Sequence, residues 1–385
     1  RLARQDGQQH PAVEQEADHA RGDRRAVAPQ QAEGEHQEPQ AMGEPLPFQL
    51  GLPSLDMFPR KTWVRLLGRA TRSLTAADMT YPAPTGHERL RRAVASYLGI
   101  SRGIACSPEQ VFITVGYAGA LDLICRTLLQ RGDIGWFEDP GYFIARQQLQ
   151  HAGMRLAPVP VDMQGLRVDV GIQRAPDARF AVVTPTHQSP TGAALSLPRR
   201  LQLLEWAQKA KAWIVEDDYD SEFRYQGHPL PALKSLDGDD RVLYAGTFSK
   251  SLFPGLRLAY LVVPPTQLAR FAQAAQSLQG CASQPLQTAV GDFMEQGHFA
   301  RHLRRMRTLY AQRRVWLVEA LENTFGTRLH IQPQAGGIHV LALFHGREDD
   351  RALAARAQAR GLAVQALSDW RLRTSAQTGL LMGFT

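Results

Sequence analysis

From Val111 onward the chain alternates short apolar, β-rich runs with amphipathic stretches of helical period. The runs at 111–115 (VFITV), 134–137, 155–161, 180–185 (FAVVTP), 212–217, 241–248 and 256–263 predict strands, and 118–130 and 198–212 predict helices between them. A strand buried on both faces has no polar side to show. Near-continuous apolar strands separated by helices therefore imply a mostly parallel sheet covered by helices on both faces. After Pro264 helical period dominates to about Asn323, and 337–344 and 361–367 then predict two strands around a helix. That is the pattern of a smaller α+β domain at the C-terminal end. No internal repeat is visible.

The first 45 residues break this pattern. They hold almost no large apolar side chains and no period, so they cannot bury enough surface to offset the entropy of ordering. The expected organisation is a disordered tail over 1–45, an arm or linker over 46–80, a large domain over 81–280, and a small C-terminal domain over 281–385 that is cut short. The chain opens on Arg1 rather than Met, which suggests a fragment or a misassigned start.

Composition excludes several classes. At 385 residues, 44% hydrophobic and 21% charged, the chain suits a large domain with a smaller one. No apolar run reaches the roughly 18–20 residues that span a bilayer, and no signal peptide is visible, so a cytoplasmic protein is expected. Cys106, Cys125 and Cys281 are too far apart for a zinc pattern and read as reduced thiols. The net charge of +7 is spread over helices and reads as solvated faces rather than a nucleic-acid surface.

Ligands of open α/β sheets sit beyond the carboxyl ends of the strands, so the polar residues there are the candidates. Gly116 lies between a strand and a helix whose N-terminus suits a phosphate, although such a glycine is common. Glu216, Asp217 and Asp218 end an apolar strand beside Tyr219. One of them could pair with a ligand cation, the three could hold a divalent metal, or they could form a solvated loop. Lys250 follows a strand among apolar neighbours, a setting that lowers an amine's pKa and makes it nucleophilic. Thr247, Ser249 and Arg257 beside it could hold a phosphate dianion. His187 precedes a Pro-Thr-Gly turn and reads as a hydrogen-bonding residue, with ligand or base as the sharper alternative.

Together, YPAPTGHERLRRAVASYL (81–98), EDPGY (138–142), EDDYDSEFRY (216–225), GTFSKSLFPGLRLAYLVV (246–263) and AGGIHV (335–340) resemble the fold type I class I/II aminotransferases over about residues 48–385. More closely they resemble the aminotransferase-like domain of MocR-type (GntR family) transcriptional regulators. The resemblance implies pyridoxal 5'-phosphate bound to Lys250, with Asp217 on the ring nitrogen, Tyr219 on the phenolic oxygen and Tyr142 stacked on the ring. It implies that Thr247, Ser249, Arg257 and the turn at Gly116, Tyr117 and Ala118 hold the phosphate. Tyr81 would reach the phosphate of a neighbouring subunit in a homodimer.

Two departures bear on function. Ser189 stands where many aminotransferases have Asn. Leu381 falls where many have the arginine that clamps a substrate carboxylate, leaving Arg257, Arg371 or Arg373 for that task. The favoured function is an effector domain that senses an amine or amino acid by aldimine exchange at Lys250. It would reach DNA only through an upstream winged helix-turn-helix, which residues 1–45 cannot form. The alternative is an active aminotransferase moving an amino group between an amino acid and a 2-oxo acid.

Overall fold

The computed structural model describes residues 43–228, 230–278, 282–346 and 348–385. Most of the expected tail, 1–42, and Cys281 lie outside the described residues. The apolar runs form an eight-stranded sheet of β1 (Val111–Val115), β2 (Ile134–Asp139), β3 (Arg155–Asp162), β4 (Gly165–Leu166), β5 (Phe180–Val183), β6 (Trp213–Asp218), β7 (Val242–Thr247) and β8 (Leu258–Val262). Their spatial order is β1-β8-β7-β6-β5-β2-β3-β4. The central strands β7, β6, β5, β2 and β3 are parallel, whereas β8 runs against both β7 and β1, and β4 runs against β3.

This topology decides where chemistry can gather. Two successive reversals make β1 point the same way as the central strands. The carboxyl ends of β1, β2, β5, β6 and β7 and the amino end of β8 therefore share one edge of the sheet. The segments that follow or precede those ends hold Gly116, Tyr142, Ser189, Tyr219, Lys250 and Arg257.

Ten helices are described: α1 (Arg60–Arg72), α2 (Glu88–Arg102), α3 (Gly116–Leu128), α4 (Phe143–His151), α5 (Val168–Arg174), α6 (Leu197–Ala210), α7 (Leu268–Leu278), α8 (Gln284–Glu295), α9 (His298–Phe325) and α10 (Asp350–Gln358). On one face of the large sheet Leu121 and Ile124 of α3, Leu149 of α4 and Phe271 of α7 pack on Val215, Leu243 and Leu261. On the other, Val168 of α5 and Leu203 and Trp206 of α6 pack on Val183 and Ile214. Trp206 also stacks on Trp136 with centroids 3.7 Å apart. Burial on both faces is what the unbroken apolar runs require.

A second, antiparallel sheet follows, made of β9 (Leu329–Ile331), β10 (His339–Phe344), β11 (Gln365–Ala366) and β12 (Gly379–Gly383) in the order β11-β12-β10-β9. The N-terminal arm is strapped to it. The Gly383 N–H donates to the Phe48 carbonyl at 2.9 Å, and the Ala363 N–H donates to the Pro47 carbonyl at 2.8 Å. Several expected strands come out shorter, two of them for reasons visible in the structure. The run 180–185 stops at Val183, because the Thr184 hydroxyl turns to the Glu138 carboxylate and Pro185 has no N–H to give a ladder. The run 361–367 keeps only Gln365–Ala366, after a left-handed Gly361 at φ 82° that ends the turn beyond α10.

Candidate functional site

Lys250 lies just past β7, half-buried, with its amine donating to the Gly51 carbonyl at 2.9 Å. Gly51 has φ +76°, and a Cβ there would come within 2.5 Å of the lysine nitrogen. Only glycine lets the arm approach so closely. Sequence reasoning passed over Gly51. Its signal was the Leu-Gly-Leu-Pro stretch at 50–53, where a proline fixes the turn after a permissive residue.

The three acids ending β6 have three different fates. Glu216 is fully buried and accepts the backbone N–H groups of Leu233 and Lys234 at 2.8 and 2.7 Å, so it holds the chain before β7. Asp218 accepts from the Tyr244 hydroxyl at 2.6 Å and from buried Arg102 at 2.8 Å. Among the described residues Asp217 forms no salt bridge. Burial pushes its carboxyl up to about 8, while the neighbouring Tyr117 hydroxyl and the Lys250 amine pull it back down. The Tyr117 hydroxyl is itself buried and outside hydrogen-bonding geometry. Asp217 is thus a desolvated carboxyl set for a ligand cation. Among the described residues no cluster has metal-ligand geometry.

A second set is suited to an anion. The Arg257 guanidinium lies over Gly116, where a Cβ would come within 2.9 Å of it. Both residues have positive φ, +69° for Gly116 and +53° for Arg257. Gly116, Tyr117 and Ala118 form the first turn of α3, whose leading N–H groups have no partners within the helix. Thr247 accepts the Ser249 N–H at 3.1 Å, and the two hydroxyls lie 3.1 Å apart. Arg257 is exposed and forms no salt bridge among the described residues. A cation over a glycine at a helix N-terminus, with two hydroxyls alongside, fits a phosphate.

Tyr219 follows β6 and meets His187 Nδ1 at 3.0 Å, with Ser189 against it. His187 in turn reaches both oxygens of buried Asp220, at 3.2 and 3.1 Å. His187 is therefore a hydrogen-bonded residue, and Asp220 is a partner the sequence did not reveal. Tyr142 sits at the start of α4, with its ring 6.0 Å from that of Trp370. Tyr81 lies outside this group and is 95% exposed.

Leu381 pairs with Leu341 across β12 and β10 and is fully buried with Phe143, Leu343, Leu367 and Trp370. Tyr142 and Leu50, the neighbour of Gly51, pack against the same cluster. This side of the site is apolar. Arg371 is half-buried and near Asp139, while Arg373 is exposed.

The family model for aminotransferase class I and II matches residues 62–378. The probable rhizopine catabolism regulatory protein MocR of Rhizobium meliloti is 40% identical over 337 residues, covering 88% of this chain and 68% of that protein. The HTH-type pyridoxine biosynthesis transcriptional regulator PdxR of Corynebacterium glutamicum is 35% identical, covering 82% of this chain and 68% of that protein. Among solved structures, the α-aminoadipate aminotransferase LysN of Thermus thermophilus, complexed with N-(5'-phosphopyridoxyl)-L-leucine, matches with a TM-score of 0.79. It is 28% identical, with 88% of this chain and 87% of that one covered.

Proposed function

The chain belongs to the aminotransferase class I and II family, and on that premise we propose that it is the amine-sensing effector part of a MocR-type regulator. Pyridoxal phosphate is the cofactor that the family implies. When bound, it supplies an electrophilic carbon for an amine and a ring that draws electrons. Lys250 would hold the cofactor through its amine, Asp217 would pair with the ring nitrogen, and Tyr219 with Ser189 would face the phenolic oxygen. Tyr142 covers the ring. Arg257, Thr247, Ser249 and the Gly116–Ala118 turn hold the phosphate. Residues 81–280 would carry the cofactor, with 281–385 as a smaller C-terminal part.

The observation that carries the sensing reading is the apolar packing around Leu381. An arriving amine needs only Lys250 and room. Full turnover also needs a substrate held in one pose over the ring, and positioning of that kind is a large part of an enzyme's advantage. Losing a charged hydrogen-bond pair costs about 1.5–3 kcal/mol, or about one to two decades in rate. The test is to mix the loaded protein with a panel of amines and amino acids, follow its absorbance, then add a 2-oxo acid. A spectral change that stalls is expected. Rapid multiple turnover would make the chain a working aminotransferase.

Assembly follows from Tyr81. Tyr81, at the start of the 81–98 motif, is 95% exposed, which supports a role toward a second subunit. We propose a homodimer with the site at its interface. Sedimentation of the loaded protein should give a dimer mass, and a stable monomer that kept the cofactor tightly would contradict it. DNA contact belongs to a winged helix-turn-helix of the kind implied by the HTH-type relatives.

A further inference from the structure

The positive charge of the chain is concentrated in two helices. α1 holds five basic residues and no acidic one, and 298–316, the first part of α9, holds six arginines and no acidic one. The chain as a whole is near parity, with 44 basic and 37 acidic residues, so outside these two segments acids outnumber bases. Helical period sorts each segment into two faces. In α1, Trp63, Leu66 and Ala70 are buried, while Lys61, Arg65, Arg69 and Arg72 recur at helical spacing on the opposite, exposed side. In α9, Phe299, Leu303, Met306 and Tyr310 are buried, while Arg301, Arg304 and Arg305 are exposed.

The two exposed sides meet at His298. Its Nε2 lies 3.5 Å from the Arg65 guanidinium and its Nδ1 lies 2.7 Å from that of Arg301. Burial and the charges of Arg301 and Arg65 hold this imidazole below its usual pKa, as a positive local field requires. Sequence alone reads these charges as solvated faces, because it cannot bring 65 and 301 together. The acids of the adjoining α8 are already committed. Asp292 is buried and takes Arg69 and Arg89, and Glu295 takes Arg89. Lys61, Arg65, Arg72, Arg301, Arg304 and Arg305 form no salt bridge among the described residues. A row of like charges without counter-charges is unfavourable in itself, and its complement is an extended anion.

We propose that the exposed sides of α1 and α9 form a contact surface for the phosphate backbone of duplex DNA. From Lys61 to Arg72 the row is about 16 Å long, a length over which duplex DNA carries about ten phosphates. Arginine forks match phosphate oxygens in pairs. A lipid surface fits less well, because the apolar side of α1 is buried in the core and only Val64 stands exposed among the charges. Backbone contacts position a protein on a duplex without reading its bases, so sequence recognition stays with a winged helix-turn-helix. The choice of DNA rests on the regulator reading above, but the charge row does not.

Fluorescence anisotropy of a short duplex of arbitrary sequence, titrated with the full chain over a range of salt, tests the proposal. With about five phosphates neutralised, the logarithm of the affinity should fall with the logarithm of salt at a slope of about −4.5. Arg65→Gln combined with Arg301→Gln should weaken binding about tenfold or more at low salt and bring the slope to about −2.7, because two contacts are gone. Arg65→Lys combined with Arg301→Lys keeps the charge and should keep the slope. Arg356→Gln combined with Arg360→Gln removes the same charge from exposed positions at the end of α10 and should leave the slope unchanged. Equal weakening by that second pair would mean that diffuse net charge binds the duplex, and it would overturn the proposal. So would a duplex that fails to bind at low salt, or tighter binding to phosphatidylserine vesicles or polyglutamate than to the duplex. A stalled spectrum in the amine test beside a failed duplex titration would remove this surface and leave the sensing reading intact. Rapid turnover beside a salt-dependent contact at Arg65 and Arg301 would do the reverse.

Discussion

Leu381→Arg should lower the stability of the folded chain by about 3–5 kcal/mol, the usual cost of a buried charge without a partner. The apolar wall is the reason. Leu381 is fully buried, it faces Leu341 across two strands, and its neighbours are Phe143, Leu343, Leu367 and Trp370. None of them offers a carboxylate. A guanidinium there would either stay desolvated or force β12 away from β10. Urea denaturation, comparing midpoints at equal slope, checks it. A variant as stable as the parent that also gained tight amino-acid binding would show that the place is an open carboxylate pocket, and the sensing argument would lose its main support.

Asp217→Asn should act in opposite directions on the loaded and the cofactor-free protein. In the loaded protein it would remove the proposed ion pair with the ring nitrogen. Affinity for the cofactor should fall about tenfold to a hundredfold, as expected for a charged hydrogen bond worth about 1.5–3 kcal/mol. In the cofactor-free protein the carboxyl is a burden. Its folded value is raised by burial from 3.8 to about 8. The folded state therefore holds a proton that the unfolded chain gives up, and stability is lost as the pH rises from about 4 through about 8. An amide does not titrate, so the cofactor-free variant should lose about 1–3 kcal/mol less over that window. Denaturation at pH 5 and pH 8, with and without the cofactor, separates the two effects. Equal pH slopes in parent and variant would mean that Asp217 is already paired within the chain.

The residues of the site were more legible than their partners. The strand-and-helix alternation located β1, β2, β3, β5, β6, β7 and β8, and the rule that ligands gather at strand ends singled out Gly116, Asp217, Lys250 and Arg257. The acidic run at 216–218 could not be sorted from sequence. What distinguishes its members lies far along the chain: Leu233 and Lys234 for Glu216, and Arg102 and Tyr244 for Asp218. The same holds for Lys250, whose amine meets Gly51 across 199 residues. Short β4 and β9 carry too few residues for a period to show. The left-handed conformation of Arg257 is set by the tight turn at Pro254–Leu256, which a non-glycine residue does not announce.

Lys250 is the residue on which the whole account turns, and borohydride reduction of the cofactor-loaded protein tests it most directly. Reduction fixes the cofactor on whichever amine carries it, and peptide mapping then locates that amine. The adduct should appear on Lys250 alone, in the peptide following β7. An adduct on Lys234 or any other lysine, or a protein that stays colourless in excess pyridoxal phosphate, would contradict the assignment.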